Sequence, residues 1–288
     1  MSSTLQAIEI SPVTPAFGAR VDGLNAREPL DEDVVRELKD AIAKYKVLFL
    51  TDQNLDEQQH ARLAAYFGAP HQTSNRFDVE YEESGLTDVK VVSHFHSDLM
   101  YKDEQPAYAM LQMLELPSTG GDTLWADLAA SYDALSEPVK TLLESLYAYH
   151  VHPDYYRTDE DRSGRYERAF GRALTAEELA EQKTRLAPNV HPLVRVIPET
   201  GQRFYWASAQ HTERIQGLSR DESDAILNLI FRQQLKPEFV IRWRWTVGDI
   251  AFWDHRKTLH AGVNDYDRTQ TRHGRRANIG TAKPIPAV

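Results

Sequence analysis

Apolar residues follow two rhythms along this chain, one with a helical period and one with a period of two, and the switches between them mark its elements. Over residues 31–44, Val34, Leu38, Ala41 and Ile42 recur on one helical face. Lys46-Val47-Leu48-Phe49-Leu50-Thr51 is too short and too rich in β-forming side chains for a helix, and reads as a buried strand. A second helix is predicted over 56–67, closed by Gly68. Residues 80–88 are polar and acidic, a loop, after which Val91 and Val92 begin a strand. Another strand over 107–116 stops at Pro117 and the turn-rich Ser118-Thr119-Gly120-Gly121-Asp122, and extended structure restarts at Thr123-Leu124-Trp125. Helical patterns over 127–135 and 137–146 follow.

Residues 153–188 are heavily charged and carry few large apolar side chains, which makes them an excursion from the core and a candidate lid. A helix over 176–186 within it starts at a Thr175/Glu178 capping box. Residues 193–197 and 202–206 flank Glu199-Thr200-Gly201, a hairpin signal. The clearest helix runs over 219–234, boxed by Ser219 and Glu222, with Ile226, Leu229 and Ile230 as its apolar stripe. Over 239–245, Ile241, Trp243 and Trp245 alternate with Val240, Arg242 and Arg244, so a strand with an inward aromatic face is predicted. Many short strands, with helices mostly between the early ones and no repeats, argue for a mainly β core with helices packed outside it. Periodicity alone leaves barrel and sandwich both open.

The chain has 288 residues, 41% of them hydrophobic, enough for one elaborated domain spanning 1–288. It contains no cysteine, so any transition metal must be held by nitrogen and oxygen, which favours iron or manganese. No signal peptide or membrane span is evident, and a cytoplasmic location is expected. The net charge of −10 disfavours nucleic acid and anionic membranes as partners, despite the Arg-Trp-Arg-Trp run. An anionic substrate therefore needs a local basic pocket.

Ser93-His94-Phe95-His96-Ser97-Asp98 contains His-x-Asp, which on an extended backbone turns both side chains to one face. A third ligand must come from elsewhere, and His260 follows the strand-like run Gly248-Asp249-Ile250-Ala251-Phe252-Trp253. Two histidines and a carboxylate leave the opposite side of a metal open, the arrangement of non-haem Fe(II) oxygenases. His-x-Asp alone is weak, and a zinc hydrolase could use the same three groups.

His96-x-Asp98, Pro117-Ser118-Thr119-Gly120-Gly121-Asp122-Thr123-Leu124-Trp125, Trp253-Asp254, His260 and the arginine-rich tail together resemble the taurine dioxygenase and 2,4-dichlorophenoxyacetate dioxygenase family. The likeness runs from about Ile10 to Pro284. It implies a double-stranded β-helix, or jelly roll, with His96, Asp98 and His260 as Fe(II) ligands, and 2-oxoglutarate and O2 as co-substrates. It implies hydroxylation of a small anionic substrate with release of succinate and carbon dioxide, with bond cleavage or desaturation as further outcomes. Thr123 and Arg272 are expected to hold 2-oxoglutarate, and Arg276 to join that anion-binding set or take an anionic substrate group, with Arg275 a rival for either role. Asp98 speaks against halogenation, and a noncatalytic 2-oxoglutarate sensor is the second rival to an enzyme. Relatives suggest a homo-oligomer, dimer or tetramer.

Departures from the family pattern fall around the site. Phe95 stands for the usual tryptophan, His255 for the usual asparagine, and Thr73 for the sulfonate-contacting histidine of taurine-specific relatives, which puts taurine itself in question. His71, His94 and Tyr101 are the substrate-pocket candidates, with Tyr155, Tyr156 and His211 as further possible wall residues.

Overall fold

The computed structural model describes residues 8–71, 81–82, 95–152, 155, 158–160 and 173–288. Its largest sheet takes the order β1-β2-β3-β13-β5-β15-β4, formed by β1 (Glu9–Pro12), β2 (Ala19–Asp22), β3 (Val47–Leu50), β13 (Ile250–Asp254), β5 (Tyr108–Glu115), β15 (His273–Ile279) and β4 (Tyr81–Glu82). A second sheet, β12-β6-β14, joins β12 (Val240–Trp243), β6 (Thr123–Asp127) and β14 (Thr258–Gly262). The two face each other as the sides of a jelly roll. Outside them lie a three-stranded sheet of β11 (Thr212–Ile215), β7 (Tyr147–His150) and β8 (Asn189–Pro192), and a hairpin of β9 (Val194–Val196) and β10 (Arg203–Tyr205).

Every residue of β3 and β13 is buried, because each strand has a packed layer on both faces. Period-two alternation sends Leu48, Leu50, Ile250 and Phe252 outward, against helices α1 (Glu32–Tyr45) and α2 (Glu57–Ala65). Val47, Phe49, Ala251 and Trp253 go inward, where they meet Trp125 and Ile241 of the facing sheet. Trp125 is fully buried, edge-on to Phe49 (5.3 Å), Trp253 (5.8 Å) and Trp245 (6.1 Å). Its truncation to alanine is worth about 3–5 kcal/mol.

Lys46 and Asp127 pin one end of the roll. Lys46 closes α1 in the left-handed conformation, φ 66°, and its ammonium makes a buried ion pair of 2.7 Å with Asp127 at the end of β6. The other oxygen of Asp127 accepts from the amides of Ala129 and Ala130, capping α3 (Leu128–Asp133). α4 (Glu137–Glu144) follows and leads into β7, a strand whose polar, aromatic sequence carries no strong strand signal.

Three expectations shift. Tyr81 and Glu82, inside the stretch read as a loop, pair as β4 with the start of β15, while the strand expected at Val91 and Val92 lies outside the described residues. The helix α6 (Arg220–Gln234) has its Ser219/Glu222 box, but its buried positions are Ser223, Leu227, Ile230, Gln233 and Gln234, while Leu229 is exposed and Ile226 only half-buried. Polar residues occupy that stripe because each has a partner: Ser223 Oγ accepts from the Ile215 amide, and Gln233 and Gln234 donate to the Ser131 and Ala207 carbonyls. Phe239 belongs to a 3₁₀ turn (Pro237–Phe239), so β12 begins only at Val240. Within 153–188, the described helix α5 (Ala176–Arg185) has its capping box and buries none of its residues. Among the described residues no helix is long and apolar enough to cross a membrane.

Candidate active site

The backbone of β14 does more than supply His260. On one side it pairs with β6, setting His260 opposite Trp125, and on the other it forms an isolated bridge to His96. His96 donates its amide to the His260 carbonyl (3.0 Å) and His260 returns the bond (2.8 Å), so the two residues are a hydrogen-bonded antiparallel pair whose side chains share a face. Their rings lie 4.4 Å apart. Asp98, two residues beyond His96, completes the cluster: its carboxylate is 3.5 Å from His96 Nε2 and 3.8 Å from His260 Nε2. One ligand atom from each of the three lies within 4.8 Å of the others.

These donors fit a divalent cation. Their spacing exceeds that of hydrogen bonds and approaches the roughly 3 Å expected between neighbouring ligands each held about 2 Å from one ion. Burial holds the His260 pKa well below its usual value, so the ring is neutral, the form in which an imidazole can bind a metal.

Residues behind the cluster fix its shape. Ser97 Oγ donates to the His255 carbonyl (2.8 Å). Trp253 Nε1 donates to His255 Nδ1 (3.2 Å); an indole nitrogen only donates, so the imidazole proton is on Nε2, which donates to the Asp98 carbonyl (3.1 Å). His255 is fully buried, and burial brings its pKa to about 3. This tether restrains the peptide leading into Leu99, whose φ of 54° is unusual for a leucine. Sequence reasoning singled out His255 only as a departure, since its role depends on a contact across the fold.

The turn before β6 builds a second corner. Arg272 donates from Nη2 to Thr123 Oγ1 (3.1 Å) and from Nε to the Gly121 carbonyl (2.8 Å). Thr123 Oγ1 also accepts from Trp245 Nε1 (3.0 Å), so with both acceptor positions used its own proton is directed to a further group. Gly121 has φ 74°, and a Cβ there would sit 3.1 Å from Arg272 Cδ, two reasons for glycine. Asp265, unmarked by any motif, accepts from the Gly121 amide and pairs with Arg242, which also pairs with Asp122.

Strand alternation separates the remaining arginines. Arg275 turns to the helix side of β15 and donates to the Leu55 carbonyl (3.1 Å). Arg276 turns inward, forms an ion pair with Asp98, and holds its guanidinium carbon 5.5 Å from the centre of the Trp253 ring. Among the described contacts Arg272 alone of the three meets Thr123, and Arg276 belongs to the side of His96, Asp98 and His260.

The substrate candidates divide too. Tyr101 is buried, with its ring 5.6 Å from His211 and 5.1 Å from His152, and His211 is 6.2 Å from His96. His211 Nδ1–H donates to the Val151 carbonyl, leaving Nε2 as an acceptor, and burial lowers its pKa to about 3. His71 lies at the end of β15, its Nδ1 3.0 Å from the Gly280 carbonyl and 3.1 Å from Thr281 Oγ1. Tyr155 follows His152 in a turn. His94, Thr73 and Tyr156 lie outside the described residues.

A jelly roll that carries these donor types is the architecture of the 2-oxoglutarate-dependent non-haem iron dioxygenases. The chain belongs to one family of them: the family model described as "Taurine catabolism dioxygenase TauD, TfdA family" matches residues 9–278. It is similar to an alkylsulfatase of Acinetobacter baylyi, 31% identical over 91% of this chain and 81% of that one. It is also 31% identical to the α-ketoglutarate-dependent 2,4-dichlorophenoxyacetate dioxygenase of Cupriavidus pinatubonensis, over 94% and 97% of the two chains. Among solved structures it resembles AAD-2 in complex with Mn(II) and N-oxalylglycine, with a TM-score of 0.77 and 28% identity over 97% and 99% of the two chains. The protein is thus an Fe(II)- and 2-oxoglutarate-dependent dioxygenase, an oxidoreductase, and the hydrolase and sensor readings give way to it.

Proposed function

We propose that this enzyme oxidises small organic monoanions, alkyl sulfate esters foremost, at a metal held by His96, Asp98 and His260. Bound there, Fe(II) supplies the coupling of O2-driven 2-oxoglutarate decarboxylation to oxidation of a substrate C–H bond. Thr123 and Arg272 take the distal carboxylate of 2-oxoglutarate: the guanidinium presents a planar donor fork, and the threonine hydroxyl has its proton to give. Trp245 and the Gly121 carbonyl hold these two side chains in place.

The observation that carries the substrate class is the position of Arg276 against Asp98. With a metal dication, the Asp98 carboxylate, the 2-oxoglutarate dianion, Arg272 and Arg276 together, one positive charge is left over. A monoanionic substrate neutralises it, and a neutral one would leave it buried at a cost. Arg276 is then the anchor for that anion, with Tyr101 and His211 as walls. The similarity to an alkylsulfatase supports trying sulfate esters ahead of aryloxyalkanoates.

Succinate release, measured with Fe(II), 2-oxoglutarate and O2 across alkyl sulfates, aryloxy acids, sulfonates and uncharged alcohols, tests this reading. Alkyl sulfates should stimulate succinate release and yield aldehyde and sulfate in equal amount. Stimulation by the uncharged alcohols alone would remove Arg276 from substrate recognition.

A further inference from the structure

The ladder between β6 and β14 ends with Thr123 opposite Gly262, and the chain that follows β14 folds over the turn that precedes β6. Val263 donates its amide to the Asp122 carbonyl (2.8 Å), and Gln270 Oε1 accepts from the Ser118 amide (2.7 Å). Between these contacts, the two backbone groups of Gly121 go to two different side chains. Its N–H donates to Asp265 Oδ1 (2.9 Å), and its carbonyl accepts from Arg272 Nε (2.8 Å).

Glycine stands at both centres of the turn because each of these partners comes close. At Gly120, where φ is 79°, a Cβ would lie 2.6 Å from Asp265 Oδ1 and 2.9 Å from the Asp265 carbonyl oxygen. Gly121 makes the corresponding room for Arg272.

Asp265 has a second partner in Arg242, at 3.0 Å, and Arg242 also meets Asp122 at 2.6 Å. Both members of the Arg242–Asp265 pair are exposed, so solvent screens it and it contributes little. The bond to the amide differs in kind. It is charge-assisted, and it fixes a peptide where the ion pair fixes only a long side chain. The Gly121 amide is also the foremost influence holding the Asp265 carboxyl below the usual carboxylate range, with Arg242 adding to it.

Arg272 takes its orientation from that peptide. Its guanidinium is held through Nε on the Gly121 carbonyl and through Nη2 on Thr123 Oγ1 (3.1 Å), so a rotation of the backbone at Gly121 would turn the fork. A planar fork makes two bonds to one carboxylate only in one plane, and a small misplacement loses one of them.

We infer that Asp265 is a positioning residue for 2-oxoglutarate: by holding the Gly121 backbone, it sets the plane in which Arg272 meets the distal carboxylate. This rests on the assignment of Thr123 and Arg272 to that carboxylate. Its effect falls on co-substrate affinity and leaves turnover at saturation alone.

The test is equilibrium binding to the Mn(II)-loaded enzyme, read by calorimetry with two ligands. One is 2-oxoglutarate, and the other is 2-oxopentanoate, the same carbon chain with a methyl group in place of the distal carboxylate. Asp265 is exposed, so its replacement empties no core. Asp265→Ala should weaken 2-oxoglutarate about tenfold, the lower end of what a charge-assisted hydrogen bond is worth, and leave 2-oxopentanoate unchanged. Asp265→Asn keeps an acceptor for the Gly121 amide and should stay within about threefold of the parent. In turnover, Asp265→Ala should raise the KM for 2-oxoglutarate at constant kcat. Arg272→Leu should weaken 2-oxoglutarate more than Asp265→Ala does. If Arg272→Leu weakens it and Asp265→Ala does not, the positioning role is overturned while the Arg272 assignment stands. Equal loss of both ligands in Asp265→Ala would mark a general disturbance of the turn and overturn the role as well. Full affinity in Arg272→Leu would overturn the assignment and the role of Asp265 together.

Discussion

His96 and His260 are held together by two backbone hydrogen bonds, whereas His211 approaches His96, and Tyr101 approaches His211, through ring contacts. One half of the candidate site is therefore set by strand register and the other by side-chain packing. Register is all-or-none: a slip of one residue would turn His260 away from the cluster. Packing is graded, and wall residues can be exchanged without disturbing the donors behind them. On the proposed reading, reaction type is lodged in the sheet, and substrate choice in the side chains that lean over it.

Substitutions should separate the halves in order of size. Asp98→Ala removes the only carboxylate of the cluster and should lower succinate formation by roughly a thousandfold or more, with the melting temperature little changed; undiminished turnover would take Asp98 out of the metal site. Arg272→Leu should raise the KM for 2-oxoglutarate by roughly a hundredfold, the worth of a charge-assisted pair. Arg275→Leu, on the opposite face of β15, should leave that KM unchanged, and equal effects from the two would break the assignment by strand alternation.

Acid should strain the side-chain half. His191 sits beneath Tyr101, hydrogen-bonded to the backbone there, and burial, with Arg195 adding to it, lowers its pKa from 6.5 to about 3. The unfolded chain binds the proton more readily between these values, so the contribution of His191 is complete above pH 6.5 and shrinks as pH falls towards 3. By pH 5 the loss is on the order of 2 kcal/mol. Chemical denaturation at pH 7.5 and 5.0 should show it, and His191→Leu should flatten the dependence. The smallest change is His211→Phe, which keeps a ring and deletes the Nε2 acceptor. The KM for the organic substrate should rise about tenfold, while slow succinate release from 2-oxoglutarate alone stays constant.

Much of this architecture is legible in the residues. The runs around Leu48 and Met110 announce strands because both faces are buried, and the Thr175, Ser219 and Asp56 starts announce helices because caps are local chemistry. His-x-Asp is local as well. What stays hidden depends on contacts made across the fold. The α6 stripe is masked by Ser223 and Gln234, polar residues tolerated inside only because distant backbone groups satisfy them. β7 and β11 are short, and their pairing follows from a neighbour supplied far along the chain. Three arginines within five residues look equivalent until the β15 register sends them to different places.

The bridge between His96 and His260 also bears on biosynthesis. A ribosome makes His96 and Asp98 well before β14, so the growing chain carries a two-toothed clamp with no third tooth and no backbone partner to hold it rigid. On the proposed reading, such a pair would retain metals weakly and without selection. Only when β14 docks beside both β6 and His96 does a rigid set exist, and metal choice then belongs to the finished protein and the ion supply of its surroundings.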